Sequence, residues 1–320
     1  MSLSRKFQVR SVHASSSLLA CLLVAVASIS SLPAAAKNST LLNTLLQTEA
    51  AHQGLCSYML DETAARAEIG RLAEEVRKQL PNPPIPSGTV EAINQIVFGP
   101  TGIRPSQELH DPCNLFLSSV LAEKRGYCVG VAGVYLVLAE ELGLPIRAVA
   151  TPSHVFLRYD DGEVSINIDP LSQGAAIPDQ QYITQHRIAE KSIRKGVFLR
   201  ALTNQQFLAQ MHSNIGVVYS ERRDYVAADA EYAVALKLDR RLPSAWYNRG
   251  KNDMEQQEFA AAARWFSKAL RLHPNDTWAL NNRGLAYQKV GKAAAARVDF
   301  EAALRIDPAF EPAKRSLIPR

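Results

Sequence analysis

From about residue 209 onward the chain repeats itself every 34 residues, and no other feature restricts its fold so tightly. Asn214, Asn248 and Asn282 recur at this spacing, as do Gly216, Gly250 and Gly284. So do Ala228, Ala262 and Ala296, the aromatics Tyr232, Phe266 and Phe300, and the pairs Ala235-Leu236, Ala269-Leu270 and Ala303-Leu304. Pro274 and Pro308 close the second and third units, whereas the first has Arg240 there. Two apolar helical stripes per unit at such a period imply a helical solenoid, because one unit cannot bury its apolar face alone. The small residues let neighbouring helices approach, and the aromatic fills the space between them. The tail after 310 is short, so a full capping helix is not expected. The open end must then pack on something else or stay partly exposed.

The preceding region has a different pattern. Apolar spacing at Leu41, Leu42, Leu45 and Leu46, then at Ile69, Leu72, Val76 and Leu80, predicts helix across 38–80, with a start at Asp61. Pro81, Pro83, Pro84 and Pro86 break the chain, and a short helix is expected over Thr89–Phe98. Asp111 or Asn114 is placed to cap a helix carrying Leu115, Phe116, Val120 and Leu121. Cys128–Leu142 is a long apolar helix stopped by Gly143 and Pro145. The period then changes to two, giving strands at Ile146–Ala150, His154–Tyr159 and Val164–Ile168, the last two joined by a turn at Asp160-Asp161-Gly162. Helices followed by antiparallel strands make this domain α+β, with an all-α solenoid behind it.

Residues 1–36 read as a signal peptide. Arg5, Lys6 and Arg10 precede an apolar run from Leu18 to Ile29, and Ala34-Ala35-Ala36 forms a small-residue exit. The run is shorter than the ~20 residues a spanning helix needs, so no stable membrane span is expected after cleavage. The protein is therefore expected to be exported, to a periplasm or outside the cell. The remaining divisions are an N-terminal helical segment at 37–87, the α+β domain with its connector at 88–208, repeats at 209–310 and a tail at 311–320. The net charge of +5 falls to +2 without the leader, whose three basic residues face no acidic ones. With no dense basic block elsewhere, nucleic-acid binding has no support. Cys21 leaves with the leader. Cys56, Cys113 and Cys128 allow one bridge and one free thiol, or no bridge. If a bridge forms, the favoured pairing is Cys56 with Cys113.

Cys128 opens a helix, where the dipole and free N–H groups favour the thiolate. His154 begins a strand, and Asp169 ends the next one before Pro170. If those strands are neighbours, an imidazole oriented by a carboxylate stands beside a thiol, the minimum for acyl transfer through a thioester. Each residue also has a plain structural role available. Cys128 suits a buried core, His154 a polar strand position and Asp169 a turn. The remaining histidines show no metal-ligand spacing and no phosphate-cradling glycine loop is present, so neither metal nor cofactor is expected.

The stretch Gly126-Tyr127-Cys128, Ser153-His154-Val155-Phe156 and Asn167-Ile168-Asp169-Pro170 resembles the transglutaminase-like branch of the papain-like fold, closest to its SirB-type bacterial members. That resemblance implies Cys128 as nucleophile, His154 as base and Asp169 as orienting acid. Phe156 stands where other members often have Trp. The repeats resemble the tetratricopeptide family through Trp246, Gly250, Ala262, Phe266, Ala269 and Pro274. It implies a concave groove for a peptide or protein partner, with Asn214, Asn248 and Asn282 as candidate lining residues and Tyr247 as an exposed aromatic contact. Ser213 and Val217 stand where chaperone-binding members need Lys and Asn, which excludes that partner class. Two functions follow: an exported cysteine hydrolase or acyl transferase acting on a peptide or amide, or an inactive scaffold whose repeats carry a protein–protein interaction.

Overall fold

The structure, a computed structural model, describes residues 41–108 and 111–317. The expected signal peptide, with Cys21, lies outside the described residues. Helix α1 (Leu41–Ala51) and helix α2 (Glu62–Gln79) are separate, and Asp61 caps α2 by accepting from the Ala64 N–H at 2.9 Å. Helix α3 (Pro86–Phe98) begins three residues before the expected start, since the fixed φ of Pro86 suits a first helical turn. Asp111 caps a 3-10 turn (Pro112–Asn114) rather than an α-helix, and α4 (Leu117–Glu123) follows it. A two-residue parallel pair, β1 (Arg104–Pro105) with β2 (Arg125–Gly126), leads into α5 (Cys128–Leu142). The twelve residues from Cys128 to Ala139 are all buried, which explains the absence of a polar stripe in this helix.

Three antiparallel strands pack on α5 in the order β3 (Ile146–Ala150), β4 (Val155–Asp160) and β5 (Ser165–Ile168). Val149 pairs with Phe156, and Leu157 with Ile168. His154 therefore sits one residue before its strand, and Asp169 one residue after β5. Two short helices, α6 (Asp179–Gln185) and α7 (Glu190–Arg194), lead to the repeats.

The repeats comprise α8 (Asn204–Glu221) with α9 (Tyr225–Leu238), α10 (Pro243–Glu255) with α11 (Phe259–Leu272), and α12 (Thr277–Lys289) with α13 (Ala293–Ile306). A Cβ added at Gly216, Gly250 or Gly284 would lie 2.5, 2.7 or 2.5 Å from a ring carbon of Tyr232, Phe266 or Phe300. That clash explains why glycine and aromatic recur together. The expectation of no capping helix is corrected by α14 (Glu311–Leu317). Phe310 and Ala313 are buried, and the Phe310 ring meets Trp278 edge-on at 5.0 Å, so a short apolar face suffices to cover the end.

The two parts share one core. Phe207, Met211, Ile215 and Val218 of α8 belong to the same buried cluster as Leu45, Val134 and Leu157. At the other end of the cluster, His52 and His212 bond the two oxygens of Glu231 at 3.0 and 2.7 Å, tying the segment after α1 to α9. Among the described residues no helix is long and apolar enough to cross a membrane.

Cys56 and Cys113 form a disulfide across 57 residues of sequence, leaving Cys128 free. Closing a loop of this length restricts the unfolded chain, typically by about 2–4 kcal/mol. The Cys56→Ser/Cys113→Ser double variant should lower the urea unfolding midpoint accordingly. An unchanged midpoint would show that the bridge is not formed or not stabilising.

Candidate active site

Helix α5 presents the thiol. Its first residue is Cys128, held at the helix tip because the Tyr127 N–H donates to the Asn114 carbonyl at 2.9 Å. A Cβ at Gly130 would lie 2.2 Å from the same carbonyl oxygen, so this turn of α5 is seated directly against the 112–114 turn. The N–H groups of a first helical turn have no intrahelical acceptor, and the dipole adds partial positive charge beside the sulfur.

The β3–β4 loop and the end of β5 supply the other two side chains. His154 Nε2 lies 2.7 Å from Asp169 Oδ2. The Cys128 side chain is a further hydrogen-bond partner of the imidazole, whose remaining nitrogen is Nδ1. Burial acts to lower the His154 pKa, but hydrogen bonds and charge from Asp169 and Cys128 outweigh it and raise it to about 9. Burial likewise acts to raise Asp169, but the His154 bond and charge, the Tyr182 hydroxyl and the Ser172 N–H bring it to about 2. The pair is thus an imidazolium beside a carboxylate at neutral pH.

The carboxylate is fully engaged. Asp169 Oδ1 accepts from the N–H groups of Leu171 and Ser172 at 3.0 and 2.9 Å, while Oδ2 also accepts from the Tyr182 hydroxyl at 2.6 Å. Tyr182 was not foreseen from sequence. It stacks on Phe156 with ring centroids 4.4 Å apart, which gives the Phe156 position a role in aligning the hydroxyl that holds Asp169. Its only sequence signal is an aromatic residue beside Ile183 in a short helix whose other residues are polar. Tyr127 was also missed. Burial first, then the charge of Cys128 and a hydrogen bond with its side chain, push the phenol well above its ordinary pKa.

Cys128 is only 2% exposed, yet with His154 it lines a cleft of about 520 Å³. Asn214 and Asn248 line the same cleft. Asn282 does not; its amide donates to the Tyr247 hydroxyl at 3.0 Å. Tyr247 is half-buried rather than exposed, because neighbouring repeats cover its ring, though it too borders the cleft. Among the described residues no cluster of His, Cys, Asp and Glu could hold a metal ion.

Residues 63–213 match the transglutaminase-like superfamily, and residues 250–291 and 279–310 match tetratricopeptide repeats. This chain is a transglutaminase-like domain followed by tetratricopeptide repeats. A UPF0162 protein of Pasteurella multocida is 30% identical over 127 residues, 39% of this chain and 45% of its own. A UPF0162 protein of Xylella fastidiosa is 25% identical over 50% of this chain and 59% of its own. Human F-box only protein 21 is 26% identical over 26% of this chain and 13% of its own. The chain thus spans less than two thirds of these relatives' length. Similar solved structures include the first repeat domain of Spaghetti (RPAP3) bound to an HSP90 peptide. It is 26% identical, with a TM-score of 0.34, over 34% of this chain and 86% of that one. The Arabidopsis OM64 repeat domain is 22% identical at a TM-score of 0.34, over 35% and 93%.

Proposed function

We propose that this protein is an exported, SirB-type transglutaminase-like hydrolase or acyl transferase that works through a thioester on Cys128. The observation that carries the proposal is the 2.7 Å contact between His154 and Asp169, with the Cys128 side chain as the imidazole's further partner. The thiolate attacks the carbonyl carbon of a peptide or amide, forming a C–S bond. The imidazolium gives its proton to the leaving amine as the C–N bond breaks. Imidazole then takes a proton from water or a second amine as the water oxygen or amine nitrogen bonds to the thioester carbon; the C–S bond breaks, the Cys128 thiolate leaves, and an acid or a new amide is released. The Cys128 N–H, at the helix tip, is the backbone group best placed to bind the intermediate oxyanion. Export agrees with the leader-like residues 1–36 and with the Cys56–Cys113 bridge, since disulfides persist in oxidising compartments.

The test uses p-nitrophenyl acetate. Wild type should release p-nitrophenolate and acquire an acetyl group on Cys128, seen by peptide mass spectrometry, and Cys128→Ala should do neither. Equal release by both, with Cys128 unmodified, would remove the proposal. A second reading, an inactive scaffold whose repeats bind a protein partner, draws support from the low exposure of Cys128. That reading requires an unacylated Cys128 together with a partner whose binding survives Cys128→Ala.

A further inference from the structure

Tetratricopeptide repeats appended to a catalytic domain invite the picture of a recruiting arm, separate from the site of chemistry. The contacts between the two parts argue otherwise. Besides the shared core at α8, the connector is fastened to the array at each successive repeat. Arg200 pairs with Asp239 at 3.1 Å, beyond the first repeat. The Ser192 hydroxyl donates to the Leu272 carbonyl at 2.7 Å, at the end of the second. Arg187 pairs with Asp307 at 2.9 Å, at the end of the third. The array is held along its length, so its position relative to the thiol is set by the fold.

That position places the first helix of each of the first two repeats opposite Cys128. One stripe of α8, Phe207, Met211, Ile215 and Val218, enters the core, and the adjoining stripe, which includes Gln210 and Asn214, faces the cleft. Helix α10 contributes Tyr247 and Asn248 from the far side. The side chains of Gln210 and Asn214 make no hydrogen bond among the described residues, although polar side chains beside a buried core usually find partners. Asn248 reaches only the Ser213 hydroxyl, at 3.5 Å. Two further histidines at the cleft, His186 and His273, are shifted toward the neutral form. Burial lowers the His186 pKa, as does the charge of His154, and burial pushes His273 down to about 4. The cleft wall formed by the repeats therefore carries the amide groups of Gln210, Asn214 and Asn248 beside aromatic rings, with the charged Arg187, Glu221, Lys251 and Asp276 also lining the cleft. The three amides, each both donor and acceptor, complement the alternating N–H and C=O of an extended peptide backbone.

We infer that the peptide held by the repeats and the acyl donor of Cys128 are one and the same extended polypeptide segment. Gln210, Asn214 and Asn248 bind its backbone while one of its carbonyl carbons lies at the sulfur. This rests on Cys128 being the nucleophile. The repeats then act as the second wall of the substrate cleft rather than as a remote recruiting surface.

The experiment compares two reagents on the full chain. Iodoacetamide reports the thiol alone, and a pool of acetyl-tetrapeptide acyloxymethyl ketones reports the thiol together with the cleft. In the Gln210→Ala/Asn214→Ala and Asn248→Ala variants the rate of Cys128 labelling by the peptide pool should fall about 10-fold. The iodoacetamide rate should stay at the wild-type value, which also shows that the fold and thiol are intact. Both sets of substitutions lie on helix faces outside the core, so failure of one variant to fold leaves the other as the test. A peptide-pool rate equal to wild type in a folded variant would overturn the inference, as would equal loss with both reagents. A wild-type Cys128 inert to iodoacetamide would instead overturn the nucleophile reading on which it rests.

Discussion

Replacing His154 with alanine is expected to slow iodoacetamide alkylation of Cys128 at pH 7, by up to about 30-fold and by less to the extent that the helix dipole still favours the thiolate. The reacting species is the thiolate, and an ordinary thiol with a pKa of ~8.5 is only about 3% ionised at that pH. In the native site the imidazole holds its proton up to about pH 9, so a positive charge stands beside the sulfur throughout the neutral range. Removing the ring removes that charge and leaves only the helix dipole, which contributes up to ~2 kcal/mol in favourable geometries. Equal and slow labelling of both proteins would mean that the imidazolium does not act on the sulfur.

The second large effect concerns stability. Asp169→Ala is expected to destabilise the fold by about 3–5 kcal/mol, the range for breaking a buried, hydrogen-bonded charge pair. Asp169 is 3% exposed and accepts four hydrogen bonds, from His154, Tyr182, Leu171 and Ser172. Alanine leaves all four donors facing a space that water reaches poorly. The pH dependence has two limbs. The Asp169 pKa is lowered from 3.8 to about 2, so its contribution is complete above 3.8 and disappears as pH falls through 2. The His154 pKa is raised from 6.5 to about 9, so its contribution is complete below 6.5 and disappears as pH rises through 9. Urea unfolding should therefore show the widest gap between wild type and variant from about pH 4 to 6.5. A gap below about 1 kcal/mol at pH 6, or one that stays flat from pH 2 to 9, would show that the carboxylate carries no such load.

Much of this architecture is written in local signals. Helix α5 begins at Cys128 and ends at Leu142 as read from the apolar run and the Gly143–Pro145 stop, and β3 spans Ile146–Ala150 as the alternation implies. The glycine–aromatic pairing of the repeats is legible because each unit faces the same steric problem. What escaped has physical reasons. Two-residue strands such as β1 and β2 carry no periodicity. The capping helix α14 needs only Phe310 and Ala313 to find a surface, and a short tail hides that pattern. Tyr182 reaches Asp169 only through tertiary placement of a helix lying beyond the sheet.

The three recurring asparagines show the same limit from another side. Their equal spacing suggests equal roles, but docking of the transglutaminase-like domain breaks the symmetry of the array. Asn214 and Asn248 line the cleft, whereas Asn282 is satisfied within the repeats by Tyr247. A periodic sequence specifies equivalent positions inside a solenoid, and it cannot specify which of them a neighbouring domain will face.

The proposed chemistry at Cys128 depends on the imidazole of His154 keeping its proton between a carboxylate and a sulfur. Titrating the ring by nitrogen-15 NMR in histidine-labelled protein, with His154→Ala to assign the resonance, reads this most directly. A midpoint near pH 9 is the expected result. A midpoint at or below 6.5 would contradict it, because a ring so placed would carry no charge at neutral pH and could not hold the neighbouring thiol ready for attack.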